Sequence, residues 1–309
     1  MPEIRAYAPG IHARSEELVQ ATRDFDRGRT TREVVEKQQN EDLRSYLEVQ
    51  READLDYLSD GLLNWQDIFR PFDTAARGLR PGPLTRFLNT NTFFRAPVAE
   101  ARTPKLTEPL GEPFFHIGDL PRGRWVATLP SPYALAFAAA DELEPRTVAE
   151  TVLRPQIRWL AGNGCAMVVL QETALFGNNR DIFGLGKTLD ALESPVPLAL
   201  QLPFGDAGEV LGELVELDVE AIGVDFYATD VAALPRPFPK TLLAGVIDAR
   251  NSLLEEPEEI SEFGRRLLEE LEGELHLVPN GDLQFVPEKI AREKVLRLGA
   301  AARRLKEEQ

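Results

Sequence analysis

Short, unbroken apolar runs recur along this 309-residue chain, each parted from the next by a stretch of helical character, and that alternation restricts the fold more than any other feature. The runs are Arg124–Leu129 (RWVATL), Ala166–Leu170 (AMVVL), Pro197–Leu202 (PLALQL), Ala221–Phe226 (AIGVDF), Thr241–Ile247 (TLLAGVI) and Leu275–Val278 (LHLV), preceded by a shorter one at Tyr57–Asp60 (YLSD). A strand that is apolar at successive positions, rather than at alternate ones, has to be covered on both faces, as in a parallel sheet flanked by helices. The helical stretches near 148–160, 182–193, 206–217, 257–272 and 287–306 supply the crossovers that parallel strands require. The pattern predicts an α/β fold, one (β/α)8 barrel over residues 1–309, with a doubly wound open sheet as the alternative. Seven strands are visible, and the eighth is expected between Leu84 and Phe115. Ser15–Asp26 and Thr31–Leu55 read as helices in an N-terminal extension (1–56) that packs on the barrel, with Ser15 as an N-cap. The Pro-, Asn- and Thr-rich segment 79–120 reads as an inserted loop or hairpin of the kind that is usually functional.

Composition removes several classes of function. Hydrophobic residues make up 43% of the chain, enough for a sizeable core. A formal net charge of −16 leaves no basic stripe for nucleic acid or for an anionic membrane surface. No run approaches the ~20 apolar residues of a membrane span, and the first ten residues, MPEIRAYAPG, lack the apolar segment of a signal peptide. A cytoplasmic protein is expected. Cys165 is the single cysteine, so no intramolecular disulfide and no multi-cysteine zinc site can form. Few Cys and Met with many Glu, Arg and Pro is the composition of a thermophile protein.

In a barrel the residues that follow each strand face the C-terminal mouth. Those positions are Asp60, Asn64 and Asp67; Gln171 and Glu172; Gln201 and Asp206; Asp225 and Tyr227; Asp248, Arg250 and Asn251; and Asn280 and Asp282. Carboxylates and amides in such number suit a polar, nitrogen-rich ligand, and Arg70, Arg86 and Arg250 could hold a carboxylate bidentately. Asp and Asn after strands also cap helices and fix turns, and that reading stands beside the functional one at each position. No metal site is expected from His12, His116 and His276, which are scattered; Asp225, Glu172 and Asp248 leave open a hard-cation site. Cys165 falls at the end of its strand away from the mouth and reads as a small buried residue.

In chain order, TRFLNTNTFFRAP (85–97), LPSPYALA (129–136), VVLQETAL (168–175), IGVDFY (222–227), AGVIDARN (244–251) and VPNGDLQFVPEKIAREKVLRL (278–298) resemble segments of the cobalamin-independent methionine synthase family. The resemblance implies a (β/α)8 barrel and methyl transfer from a methylfolate to homocysteine, whose thiol is activated by zinc. It also implies that the zinc ligands are missing. Gln201 and Pro203 stand where the family has His-x-Cys, Asp225 stands near its Glu ligand, and Gly281 replaces its second Cys. Gln171 replaces an Asp that contacts the amino acid, and Leu62 replaces a second carboxylate. The chain is most similar to the zinc-less N-terminal barrel of the two-barrel enzyme. On that reading Glu172, Asp225 and Asp248 are the catalytic candidates. Asp60, Asn64, Asp67, Gln171, Gln201, Tyr227, Arg250 and Asn251 would bind a folate-like donor and a homocysteine-like acceptor. This chain would need no cofactor of its own, and a zinc-bearing homologous barrel is an expected partner. The competing readings are a noncatalytic scaffold barrel and a metal-free lyase of the uroporphyrinogen-decarboxylase type.

Overall fold

The computed structural model describes residues 2–88, 90, 92–112, 114–139, 143–176 and 181–309. Besides a two-residue antiparallel pair, Ala76–Arg77 with Lys105–Leu106, the strands among the described residues are β1 (Ile4–Ala6), β2 (Leu79–Arg86), β3 (Phe93–Ala99), β4 (Val126–Pro130), β5 (Met167–Gln171), β6 (Leu198–Gln201), β7 (Ala221–Asp225), β8 (Thr241–Ile247) and β9 (Leu275–Pro279). The helices are α1 (Glu16–Asp26), α2 (Arg32–Glu52), α3 (Arg70–Ala75), α4 (Pro132–Ala138), α5 (Pro145–Val148), α6 (Arg154–Gly162), α7 (Ile182–Asp190), α8 (Leu211–Leu214), α9 (Pro257–Leu268) and α10 (Glu288–Glu307). A π turn at Ala149–Leu153 links α5 to α6 just ahead of Pro155, which has no N–H to give to the helical ladder.

Seven strands form one parallel sheet in the order β1-β9-β8-β7-β6-β5-β4. The sheet curls until its edges nearly meet, and the segment 56–58 spans the gap. Asp56 N donates to Ala6 O of β1 at 2.9 Å, while Leu58 pairs with β4 through Leu58 N to Arg124 O (3.0 Å) and Val126 N to Leu58 O (2.9 Å). The outcome is an α/β barrel-like sheet in which the Tyr57–Asp60 run contributes a single bridge at Leu58. The strand missing from the sequence count is β1, at the N-terminus. Among the described residues of 84–115 there is no strand of the parallel sheet; the antiparallel hairpin β2–β3 stands there, part of the predicted insertion. A hairpin needs only a tight turn, whereas insertion into the parallel sheet would need a further crossover.

Curling divides the apolar residues into two cores. Tyr7, Val126, Met167, Val169, Ala199, Ala221, Leu243 and Val278 fill the interior. A larger core lies between the outer face of the sheet and the helices. Both faces of β4, β5, β7, β8 and β9 are therefore buried, which explains their continuous apolar sequences. In α10, Ala291, Lys294, Val295, Leu298, Ala302 and Leu305 recur at helical spacing on the buried face. Lys294 is fully buried and bonds Glu255 Oε1 and Oε2 at 2.7 and 2.8 Å, which pins the loop after β8 to α10. Among the described residues no helix is long and apolar enough to cross a membrane.

Candidate functional site at the sheet mouth

Strand alternation decides which residue at each strand end looks inward. Met167 and Val169 belong to the interior core, so Gln171 does too; Ala199 carries Gln201 inward, Ala221 carries Asp225, and Val278 carries Asn280. These side chains form a hydrogen-bonded layer across the mouth. Gln171 Nε2 donates to Asp282 Oδ1 at 2.6 Å, and Gln201 Nε2 reaches Pro279 O at 3.0 Å. Asn280 Nδ2 donates to Asp225 Oδ1 (3.0 Å) and lies 3.4 Å from Asp248 Oδ1, while its own Oδ1 accepts from Ala249 N (2.9 Å). Arg250 Nη2 stands 3.6 Å from Asp225 Oδ2 and Arg250 Nε 3.6 Å from Asp248 Oδ1. Burial raises the Asp225 carboxyl above its ordinary range, against the opposing pull of Asn280 and Arg250. Burial likewise pushes Asp282 up to about 6.

An aromatic roof covers this layer. Phe204 meets Phe285 edge-on (5.3 Å between centroids), Phe285 stacks on Phe87 (5.8 Å), and Phe87 meets Phe94 of β3 edge-on (6.0 Å). The Arg250 guanidinium lies 4.8 Å from the centre of the Phe204 ring. The space left between Asp67, Phe87, Phe94, Asp282, Gln284 and Phe285 is about 20 Å³, room for about one water. Phe204, Phe285 and Phe87 were not foreseen as mouth residues, because aromatic residues in loops carry no signal of what they will stack upon.

The remaining sequence candidates lie elsewhere. Glu172 follows Gln171 and so turns to the opposite face. Its carboxylate accepts from the Ser131 hydroxyl, the N-cap of α4, and from Ala174 N at 2.6 Å. Full burial pushes it up to about 7. Asp60 accepts from Leu62 N (3.2 Å) and His116 N (3.0 Å), and Asp67 from Phe69 N (3.0 Å) and Arg70 N (2.8 Å). Asn64 bonds Gln39 at 2.7 Å beside α2. Tyr227 faces outward, with its hydroxyl 3.2 Å from both Val246 O and Glu255. Asn251 and Asp206 close local turns onto Leu253 N and Gly208 N. The mouth layer thus takes in Gln171, Gln201, Asp225, Asp248, Arg250, Asn280 and Asp282; Glu172, Asp60, Asn64, Tyr227 and Asn251 hold loops and caps in place, and Asp67 does so while lining the small space under the roof.

The residues present do not fit zinc. Gln201 turns its amide nitrogen to a carbonyl, Pro203 has no donor side chain, and Asp225 is bonded to Asn280. Gly281 is pressed against Phe204: a Cβ there would come within 2.4 Å of the ring, so the ring fills the space a cysteine would need. Among the described residues no three His, Cys, Asp or Glu side chains are placed to hold a metal ion, and Glu172, which faces away, cannot join Asp225 and Asp248. His276 packs inside the sheet between Tyr7 and Glu274 (3.1 and 3.0 Å), and the buried Cys165 thiol is pushed up to about 12 by burial.

No protein-family model matches the chain. It is 30% identical over 195 residues to the 5-methyltetrahydropteroyltriglutamate–homocysteine methyltransferases of Mycobacterium bovis and Mycobacterium tuberculosis, a match that takes in 57% of this chain and 26% of those proteins. A B12-independent methionine synthase from Shewanella sp. W3-18-1, solved with selenomethionine, shares the fold with a TM-score of 0.69 at 16% identity, covering 100% of this chain and 99% of that one. The chain is thus similar to methionine synthases, in sequence over part of its length and in fold over all of it. It spans about a quarter of the length of the curated relatives it matches. The methionine-synthase-like fold extends to a methyltransferase from Methanosarcina mazei, with a TM-score of 0.56 at 11% identity over 98% of this chain and 94% of that one.

Proposed function

We propose that the methionine-synthase-like chain binds small-molecule substrates at the mouth and serves methyl transfer toward homocysteine, without zinc of its own. The observation that carries this reading is the convergence of Gln171, Gln201, Asp225, Asp248, Arg250 and Asn280 at the C-terminal ends of parallel strands, the end at which barrel enzymes bind substrate. Arg250 offers two-pronged recognition of a ligand carboxylate, and the Asp225–Asn280–Asp248 network offers acceptors and an amide to a folate-like ring. Thiol activation falls to a separate, zinc-bearing homologous barrel, because no side-chain set in this mouth suits the metal.

Calorimetric titration of the purified chain with 5-methyltetrahydrofolate and with L-homocysteine, alone and with such a homologue, tests the reading. Saturable binding of at least one ligand is expected; binding of neither in either mixture overturns it. The Phe204–Phe285–Phe87 roof favours a second reading, a noncatalytic barrel with a filled mouth. That reading requires a tight protein complex with no small-molecule binding. A tetrapyrrole-type lyase is disfavoured by the mouth's cations, since Arg70 pairs with Asp67 and Arg86 Nε bonds Thr90 O, leaving Arg250 to meet many carboxylates.

A further inference from the structure

At two of the positions where the resemblance places metal ligands stand acceptors that receive no hydrogen bond among the described residues. Gln201 and Asp225 end the neighbouring strands β6 and β7, at 3% and 0% exposure. Gln201 Oε1 and Asp225 Oδ2 have no hydrogen-bond partner among the described residues. The other polar atom of each is committed: Gln201 Nε2 to Pro279 O (3.0 Å), and Asp225 Oδ1 to Asn280 Nδ2 (3.0 Å) and Tyr227 N (2.9 Å). Those bonds fix the orientations, since turning the Gln201 amide over would set oxygen against the Pro279 carbonyl oxygen. A buried acceptor left without a hydrogen bond loses its hydration with nothing in return. Arg250 forms an ion pair with Asp225, but its Nη2 stays 3.6 Å from Oδ2, beyond a hydrogen bond, while its guanidinium rests on Phe204.

We propose that Gln201 and Asp225 form a subsite for a primary ammonium group of the ligand, so that an amine takes the deep position a metal would otherwise hold. The inference rests on the mouth being the ligand site and adds which group enters deepest. An ammonium carries three donors and no acceptor. Two of its N–H groups match the two orphan oxygens, and the third turns to the Phe204 ring, whose face attracts a cation. A hydroxyl, with one donor, would meet only one of the two. Entry lifts the Phe204 ring from Gly281 and turns Arg250, 30% exposed, outward to the ligand's carboxylate.

Ligand-observed NMR titration of the full chain tests this with three probes: L-homocysteine, 4-mercaptobutanoate, which lacks only the amine, and 1-butylammonium. Asp225→Asn and Gln201→Met are titrated alongside, with circular dichroism confirming that each is folded. Homocysteine is expected to bind at least about tenfold more tightly than 4-mercaptobutanoate, a difference of about 1.4 kcal/mol. That ratio should fall to near one in Asp225→Asn, and butylammonium binding should weaken in both variants. Homocysteine binding with a wild-type ratio near one, or with a ratio unchanged in Asp225→Asn, overturns the ammonium subsite and leaves the functional reading standing. Butylammonium binding without homocysteine or methylfolate binding sustains the subsite and overturns the functional reading. If neither amine binds, the two acceptors hold solvent only and the subsite is overturned.

Discussion

The two ends of the curled sheet are furnished with similar side chains and treat them in opposite ways. At the N-terminal end, Tyr7 Oη meets His276 Nδ1 (3.1 Å), His276 Nε2 meets Glu274 (3.0 Å), and Arg5 lies between Glu3 (2.8 Å), Glu274 (3.4 Å) and the Tyr57 hydroxyl. The Tyr7 ring sits edge-on to Tyr57 and His276, with centroids 5.4 and 5.5 Å apart. At the mouth, Gln201 Oε1 and Asp225 Oδ2 have no hydrogen-bond partner among the described residues, and the Arg250 guanidinium stands 3.6 Å from Asp225 Oδ2 as an ion pair. Groups at the bottom pair with one another and support the fold, with Arg5 Nε held beside Glu274 as an ion pair without a hydrogen bond, whereas the mouth leaves two acceptor oxygens in reserve, the mark of a place shaped for something other than stability. Tyr7→Ala should therefore have the largest effect on stability, about 3–5 kcal/mol, by emptying the inner core of an aromatic ring and stranding His276. Urea denaturation measures it, and a loss below about 1 kcal/mol would erase the contrast between the ends.

The ends should also respond to pH in opposite senses. Glu172, near the mouth, is pushed up to about 7 by burial, and Asp282 to about 6. The native state holds these protons more tightly than the unfolded chain. The Glu172 contribution is therefore complete below 4.5, its ordinary value, and is lost as pH rises through 7, a change of roughly 3 kcal/mol. His276, at the bottom, is held below 6.5 chiefly by burial. Its contribution is complete above 6.5 and is lost as pH falls, because the unfolded imidazole then takes up a proton more readily. Glu172→Gln should flatten the decline in stability between pH 4.5 and 7 and leave the acid limb unchanged. Denaturation midpoints that run parallel for wild type and variant across that interval would remove Glu172 from the account.

The sequence carried the sheet better than it carried the mouth. Strands such as TLLAGVI, buried on both faces, declare themselves by continuous apolar character. β1 does not, because it is three residues long with Arg5 at its centre, an arginine tolerated inside only because Tyr57, Glu3 and Glu274 receive it. At the site, strand ends told which residues stand at the mouth level but not which way they turn. Gln171 and Glu172 are neighbours, yet one joins the layer and the other caps α4, since a shift of one residue in a strand reverses the face. The stacking of Phe204 upon Gly281 joins segments far apart in sequence, and neither residue announces it. Gly281→Cys tests that contact directly. The new Cβ would meet the ring at 2.4 Å, so the change should destabilise by about 1–3 kcal/mol through overpacking, and the loss should shrink in a Phe204→Ala background. Equal losses in both backgrounds would show that the ring is not what keeps this position a glycine.

The smallest effect on stability is expected from Asp225→Asn, and its sign is the informative part. The amide keeps an oxygen to accept from Asn280 and Tyr227 N and removes a buried charge whose second oxygen has no hydrogen-bond partner among the described residues. Arg250 retains Asp248 as its nearby carboxylate. A change within about 1 kcal/mol, toward greater stability, should follow, because exchanging an unmet acceptor for a donor relieves a cost that the native mouth bears. A matching change at the bottom, His276→Ala, has no such cost to relieve and should destabilise by about 1–3 kcal/mol, since it leaves the Tyr7 hydroxyl unpaired. If the denaturation midpoint of Asp225→Asn fell as far as that of His276→Ala, Asp225 would be part of the scaffold, and the difference between the two ends would be one of position alone.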